Sequence, residues 1–169
     1  MNPTTRPESA AAANLESPDL WVFPPVLPIG GLVLGFVLER FFPLAHRLNW
    51  LPETMRVVCA LALLLTGCAT FIGSHVALRR AKTGVNPGQP TLALSESWPF
   101  SWTRNPMYLG GDLIYLGIAF VSREYWLLLL FPVIQTVCHF GVVRKEEEYL
   151  ERKFGARYLD YKARVPRWF

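Results

Sequence analysis

The stretch from Arg104 to Gly111, RNPMYLGG, combines residue types that bind ions with residue types that restrict the backbone. It is followed at once by DLIYLGIAF, which is apolar enough to enter a membrane. Pro106 suits the first turn of a helix, and the residue before a proline is held in an extended conformation. The pattern therefore predicts that Arg104 points from an extended segment toward a helix N-terminus, where free N–H groups favour a carboxylate.

Three acidic residues, Glu146, Glu147 and Glu148, directly follow the last apolar block of the chain. Such a run is usually a solvated charged turn. On a helix, however, successive residues point about 100° apart, so at most two of the three can face the rest of the protein. If the loop before Arg104 folds across the same end, an inward glutamate would lie near that arginine. The two would then line a polar chamber, in which the arginine could bind a carboxylate and the glutamate could bind a cationic or hydroxyl-bearing ligand.

The composition places these residues in a membrane protein. Of 169 residues, 51% are hydrophobic and only 18% are charged, which is too apolar for an ordinary soluble domain of this size. Four apolar blocks predict four transmembrane helices. The blocks are 22–42, 54–78, 107–121 and 124–143. The first begins in a cluster of prolines and the third is short, so a single re-entrant hairpin over 107–143 is an alternative.

The chain is thus predicted to be all-α, a polytopic membrane helix bundle of about four transmembrane helices with a cytoplasmic amphipathic C-terminal helix. Residues 1–20 are expected to be a disordered tail, since they lack the features of a cleavable signal. Residues 21–143 form the bundle with its loop 79–105, and residues 144–169 form a helical tail that completes the pocket. An apolar stripe at helical spacing defines that tail. Its members are Leu150, Phe154, Tyr158, Tyr161 and Val165.

Charge predicts the orientation. Most of the 17 Lys and Arg residues fall in the loop 79–105, in the tail from residue 144 and near the N-terminus. By the positive-inside rule both termini are cytoplasmic, as in an integral protein of a bacterial-type inner (plasma) membrane. The sequence pI of about 9.1 is then explained by basic residues that lie beside anionic lipid headgroups, and no nucleic acid partner is needed to explain it.

Cysteine and histidine usage indicates no metal centre. Cys59, Cys68 and Cys138 all lie in apolar segments without a CxxC motif, so they are expected to be buried structural thiols. His46 and His75 lie at predicted membrane borders without companion ligands. The chain also has no glycine-rich dinucleotide or phosphate loop, which excludes the usual soluble nucleotide-binding folds.

Taken together, RNPMYLG, EEEYL and FGARYLDYKARVP resemble the motifs of the isoprenylcysteine carboxyl methyltransferase family. These are integral-membrane enzymes that are also similar to phospholipid N-methyltransferases. The resemblance covers roughly residues 82–166 and implies S-adenosylmethionine bound at the cytoplasmic face. The implied cofactor contacts are Leu94, Phe100, Arg104, Asn105, Pro106, Met107, Tyr108 and Glu146.

Two positions depart from the family pattern. Asn105 stands where the family has a histidine, and an asparagine can form hydrogen bonds but cannot titrate. Eukaryotic relatives carry a substrate arginine about one helical turn before the glutamate pair. This chain has Val142 there and Arg144 two residues later. Arg144 is therefore the candidate for that role, and an isoprenylcysteine-like carboxylate is one acceptor that the resemblance implies.

Methyl transfer from a sulfonium is an in-line displacement, which mainly requires the acceptor to lie about 3–3.5 Å from the methyl group in a water-poor pocket. A neutral amine or alcohol acceptor would also need a base, and Glu147 and His139 are the nearby candidates. Together with Arg144 they are the predicted catalytic residues. A neutral His139 bonded to a neighbouring helix is an alternative, and Asp112 could equally face the cofactor or cap polar groups at the interface.

The expected protein is an integral-membrane methyltransferase that moves a methyl group from S-adenosylmethionine to a lipophilic or lipid-linked acceptor entering from the membrane. Its expected partners are that substrate and membrane lipids, while the oligomeric state stays open. One alternative is an NADPH-dependent membrane reductase resembling sterol reductases. Another is a small non-enzymatic membrane protein in which Trp98, Phe100 and Trp102 only anchor the interface.

Overall fold

A computed structural model of the chain describes residues 18–44, 51–84 and 90–169. All regular secondary structure in these residues is helical, as the composition predicts. The helices are α1 (Val26–Phe41), α2 (Glu53–Arg80), α3 (Pro106–Ser122), α4 (Tyr125–Cys138), α5 (Arg144–Phe154) and α6 (Ala156–Arg164), and a π-helical stretch, His139–Val143, joins α4 to α5. Most of the predicted disordered tail, together with His46, lies outside the described residues.

In the residues that the structure describes, two helices are long and apolar enough to cross a membrane. They are α2, with 28 residues, and the continuous helix Tyr125–Phe154, with 30. Helices α1 and α3 have 16 and 17 residues. They are therefore only about 24 to 26 Å long, against a hydrocarbon core of about 30 Å. Charged residues begin at Arg144, so the apolar part of the longer helix ends at Val143 and α5 extends beyond it.

Glycines let the helices approach closely in two pairs. A Cβ atom added to Gly110 of α3 would lie 2.8 Å from the backbone nitrogen of Phe71 in α2, and one added to Gly67 would lie 2.9 Å from the Gly110 carbonyl oxygen. In the second pair, side chains of α4 pack against α1 at Gly31 and Gly35, where an added Cβ atom would clash with Ile134 and Leu127. Small residues at such crossings are how apolar helices pack in lipid, where no hydrophobic force drives them together.

The turn between α3 and α4 is fixed by polar contacts. Arg123 ends α3 in the left-handed region with φ 62°. The guanidinium of Arg56 donates to the carbonyl oxygens of Phe120 and Val121 at 2.8 and 3.2 Å, which satisfies groups left open at the helix end. The Tyr115 hydroxyl donates to the Leu127 carbonyl oxygen at 3.1 Å. Arg56 therefore ties α2 to the end of α3, and Tyr115 ties α3 to the start of α4.

At the opposite end, the loop 90–105 and helices α5 and α6 fold over the start of α3. The Tyr161 hydroxyl donates to the Phe100 carbonyl oxygen at 2.7 Å, and the Thr91 amide donates to the Tyr149 hydroxyl at 3.0 Å. Gly155, with φ 54°, separates α5 from α6. The predicted apolar stripe of the tail points inward: Tyr158, Tyr161 and Val165 are buried, and Leu94, Leu150 and Phe154 pack against them.

The cysteine prediction needs one correction. All three cysteines are free, as expected, and Cys138 is buried. Cys68, however, is exposed on α2 and Cys59 is only partly buried. An apolar helix places residues on every side, and those on its outer side face lipid instead of a protein core.

Candidate active site

A polar cavity lies where the loop 90–105, the first turn of α3 and helices α5 and α6 meet. It offers about 110 Å³ to water-sized groups and continues to Gly84 and Thr91, which flank residues 85–89 outside the described part of the chain. All eight residues implied as cofactor contacts line it. They are Leu94, Phe100, Arg104, Asn105, Pro106, Met107, Tyr108 and Glu146.

The glutamate run splits as helix geometry predicts. Glu146 and Glu147 both line the cavity, whereas Glu148 is exposed. The π-helical stretch before α5 inserts an extra residue into one turn, which rotates the following helix by about 100° relative to α4. Val142 and Val143, within that stretch, are fully buried. The stretch therefore helps to decide which glutamates face inward.

Glu147 is held by two arginines. Its carboxylate accepts two hydrogen bonds from Arg167, from Nε at 3.0 Å and from Nη2 at 2.8 Å, and lies 3.4 Å from Nη2 of Arg104. Burial alone would raise the pKa of Glu147, but the bonds from Arg167 and the charge of Arg104 outweigh burial and lower it. Glu147 is therefore an ionised group with both oxygens engaged, which suits positioning better than proton transfer.

Arg104 still has donors to offer. Its side chain is only 8% exposed, and within the described residues its Nε and Nη1 atoms are buried without a hydrogen-bond partner. Leaving a buried donor unpaired costs about 1–3 kcal/mol, so such groups call for an explanation. Because Arg104 lines the cavity beside the N-terminus of α3, these donors can bind an anionic group there.

Glu146 lies in a different electrostatic setting from its neighbour. Its Oε2 atom accepts a hydrogen bond of 2.8 Å from the Tyr108 hydroxyl. Burial raises the pKa of Glu146 to about 7, although the bond from Tyr108 acts in the opposite direction. Two adjacent carboxyl groups thus have pKa values pushed apart by their surroundings, a pattern that assigns different roles to each.

The C-terminal residues fix the loop that carries Arg104. The backbone amide of Arg104 donates to the Pro166 carbonyl oxygen at 3.0 Å. The carbonyl oxygen of Arg167 accepts from the Thr103 hydroxyl at 2.8 Å and from the Asn105 amide at 3.2 Å. Asn105, which stands where the family has histidine, therefore bonds a backbone carbonyl, a role that needs no titration.

The other two predicted catalytic residues lie outside the cavity. His139 lines a separate groove between α3 and α4, and its ring lies edge-on to Phe140 with centroids 4.9 Å apart. Arg144 is exposed, and its guanidinium carbon lies 5.7 Å from the centre of the same phenylalanine ring. Of the three, only Glu147 lines the cavity. In the described part of the chain, no group of three His, Cys, Asp or Glu residues could hold a metal ion.

Several lining residues were not predicted as site residues. The sequence pattern places Tyr158 and Tyr161 only in the apolar stripe, yet they line the cavity, and burial raises the pKa of both hydroxyls. Their spacing from Leu150 is a signal that could have identified them, because one stripe on two helices faces one surface. Arg167 also went unrecognised, since nothing in the sequence indicates which glutamate it pairs with.

A family model described as phospholipid methyltransferase matches residues 55–157. The matched region contains most of α2, all of α3 and α4, the loop that lines the cavity, and the glutamate pair. Neither a curated protein nor a solved structure matches the chain.

Proposed function

The chain belongs to the phospholipid methyltransferase family, and from that premise we propose that it transfers a methyl group from S-adenosylmethionine to a lipophilic acceptor in the membrane. The acceptor enters laterally between helices, while the soluble cofactor enters at the polar end of the bundle. The apolar helices α2 and Tyr125–Phe154 support the membrane location.

The observation that carries this proposal is the pair of buried donors on Arg104 that have no hydrogen-bond partner among the described residues. An amino acid cofactor presents a carboxylate that these donors can bind, and a charge-assisted hydrogen bond is among the stronger ones in proteins. The same cofactor presents an ammonium group, for which Glu146 is the available acceptor in the cavity. Arg104 and Glu146 therefore fit the carboxylate and the ammonium group of an amino acid, respectively.

When bound, S-adenosylmethionine supplies an electrophilic methyl group on a positively charged sulfur. Arg104 orients the carboxylate end, and Glu147 with Arg167 keeps Arg104 in place. Phe100, Tyr158 and Leu150 exclude water from the cavity, which favours transfer to the acceptor over loss to solvent. Should the acceptor release a proton, Glu147 is poorly suited to take it, because Arg167 binds both of its oxygens and its pKa is lowered.

The proposal extends to topology. We infer four transmembrane helices, with α1 and α3 as the two short ones, and both termini on the cytoplasmic side of a bacterial-type inner membrane. The tail from residue 144 would then lie at the cytoplasmic face as an amphipathic helical segment. Exposed apolar side chains on α1 support a lipid environment for it, since soluble surfaces rarely carry so many together. They include Ile29, Val33, Leu34, Phe36 and Val37.

The test is equilibrium binding of S-adenosylmethionine, and separately of NADPH, to the purified full-length protein. Arg104→Ala should weaken S-adenosylmethionine binding by about tenfold or more, since hydrogen bonds to charged groups are worth about 1.5–3 kcal/mol. Arg157→Ala is the matched control, because that arginine is 62% exposed and lies outside the cavity. NADPH binding without S-adenosylmethionine binding would refute the methyltransferase and favour the reductase.

A further inference from the structure

A second concave surface, which we call the groove, lies between α3 and α4. It offers about 490 Å³, considerably more than the polar cavity. Its walls are mostly apolar, with Leu109, Leu113 and Leu116 on α3 opposite Phe131 and Phe140. Most of its lining residues lie in the halves of α3 and α4 away from their turn, so the groove is near the end of the bundle that holds the polar cavity. Its lining suits a hydrocarbon chain.

Polar groups interrupt this apolar lining at one place. Asp112 on α3 and Gln135 on α4 line the groove together, with His139 one turn further along the chain. A carboxylate offers about four acceptor positions, so one neutral amide leaves most of them open. No Lys or Arg occurs among the lining residues that the structure describes. An ionisable residue within an apolar helix is costly and marks a functional site by default.

Asp112 lies about one helical turn from a residue of the polar cavity. Tyr108 precedes it by four residues, on the same face of α3 and about 6 Å away along the helix axis. Tyr108 itself lines the polar cavity and bonds Glu146. Cys138 of α4 belongs to a buried cluster against which Tyr108 packs. Tyr108 lines the cavity and Leu109, the next residue, lines the groove, so the two sites lie on neighbouring sides of the first turns of α3.

The C-terminus connects the two sites as well. Trp168 and Phe169 line the groove, and Trp168 packs on the buried cluster that contains Cys138. The preceding residue, Arg167, bonds Glu147 in the polar cavity. One short segment thus borders both the groove and the cavity.

Resting on the proposed methyltransferase function, we propose that the groove holds the methyl acceptor and that Asp112 selects it. The acceptor is an amphiphile whose hydrocarbon chain lies against the apolar walls and whose head group, an amine or a hydroxyl, donates a hydrogen bond to Asp112. A carboxylate head is rejected, because it cannot donate such a bond and carries the same charge as Asp112. The isoprenylcysteine-like carboxylate is then not the acceptor of this chain.

The experiment uses full-length protein in a zwitterionic detergent and three photoreactive probes, dodecylamine, dodecanol and dodecanoic acid, each with a diazirine in the chain. Peptide mapping measures labelling of α3 and α4. The amine and alcohol probes should label the groove of the wild type, and the acid probe should not. Asp112→Asn should lower that labelling by about tenfold, as expected for loss of a charge-assisted bond. Asp160→Asn, the same change at an exposed position, should leave it unchanged.

Gln135→Leu separates head-group binding from simple helix pairing. It removes the amide that α4 presents in the groove but keeps the carboxylate, so labelling by the amine and alcohol probes should persist. Equal loss of labelling and of thermal stability in Gln135→Leu and Asp112→Asn would overturn the inference, because Asp112 would then only join the helices. Equal labelling by the acid probe would overturn it too.

Binding of S-adenosylmethionine to the same preparations separates this inference from the proposed function. A labelled groove in a protein that does not bind the cofactor would refute the methyltransferase and leave the amphiphile site standing. Cofactor binding with an unlabelled groove would refute the amphiphile site alone.

Discussion

Replacing Arg167 by alanine tests whether a residue outside the polar cavity controls the arginine inside it. Arg167 does not line the cavity, yet it donates two hydrogen bonds to Glu147, whose side chain is only 6% exposed. Without Arg167, the buried carboxylate keeps Arg104 as its single cation and is expected to draw it closer. The donors of Arg104 would then point less toward a cofactor carboxylate.

The magnitude follows from the contacts. Removing one partner of a buried ion pair costs about 3–5 kcal/mol when the remaining charge has no compensation. Here Arg104 still compensates Glu147, and Arg167 is 32% exposed to solvent that screens it. We therefore expect a loss of about 1–3 kcal/mol in unfolding free energy and a several-fold weaker binding of S-adenosylmethionine. Arg167→Lys should recover part of both, since a lysine keeps the charge but not the two-bond geometry.

The assays are thermal unfolding in detergent and equilibrium binding of the cofactor. Arg164→Ala is the matched control: this C-terminal arginine also bonds a glutamate, Glu96 at 2.8 Å, but is 64% exposed. A surface pair of that kind contributes only about 0–1 kcal/mol. If Arg167→Ala and Arg164→Ala lower stability and affinity by the same small amount, Glu147 does not couple Arg167 to Arg104 and our account of the site fails.

The pH dependence of this effect has a defined sign. The folded-state pKa of Glu147 is lowered, so its contribution to stability is present above the unfolded pKa of about 4.3 and is lost as the pH falls through the folded value. The difference in unfolding temperature between wild type and Arg167→Ala should therefore persist at pH 7 and shrink below about pH 4. A difference that grows on acidification would contradict the ion-pair explanation.

Three further changes test other parts of the structure. Glu146→Gln should flatten the pH dependence of the unfolding temperature between pH 5 and 8. The reason is that a folded-state pKa raised to about 7 makes the stability of the wild type fall as the pH rises through that window. An unchanged pH profile would mean that another group titrates there. Tyr108→Phe removes the bond that opposes this shift, so the apparent pKa should rise further, as a titration followed by unfolding temperature would show. Gly110→Ala should lower the free energy of unfolding by about 1–3 kcal/mol, because its Cβ atom would meet the Phe71 backbone. Gly111→Ala is the control and should be neutral, because open space surrounds that position. Equal effects of the two variants would contradict the close helix crossing.

The helices could be predicted from the sequence because an apolar block of membrane-spanning length requires no knowledge of its partners. The blocks 54–78 and 107–121 correspond to helices Glu53–Arg80 and Pro106–Ser122. The cavity residues could be predicted because family motifs record which positions meet in space. Single-sequence patterns did not indicate that Tyr158 and Tyr161 would join them.

The sequence by itself determined the all-helical class in the described residues, two helices apolar enough to cross a membrane, and eight of the residues that line the cavity. Only the tertiary structure decided that Glu147 faces Arg104 and Arg167 while Glu146 faces Tyr108. Helical periodicity sets the angles between neighbouring residues, but it does not set the rotation of the helix against the rest of the protein. That rotation depends on the π-helical stretch and on contacts with a C-terminal segment about sixty positions away from the loop it bonds.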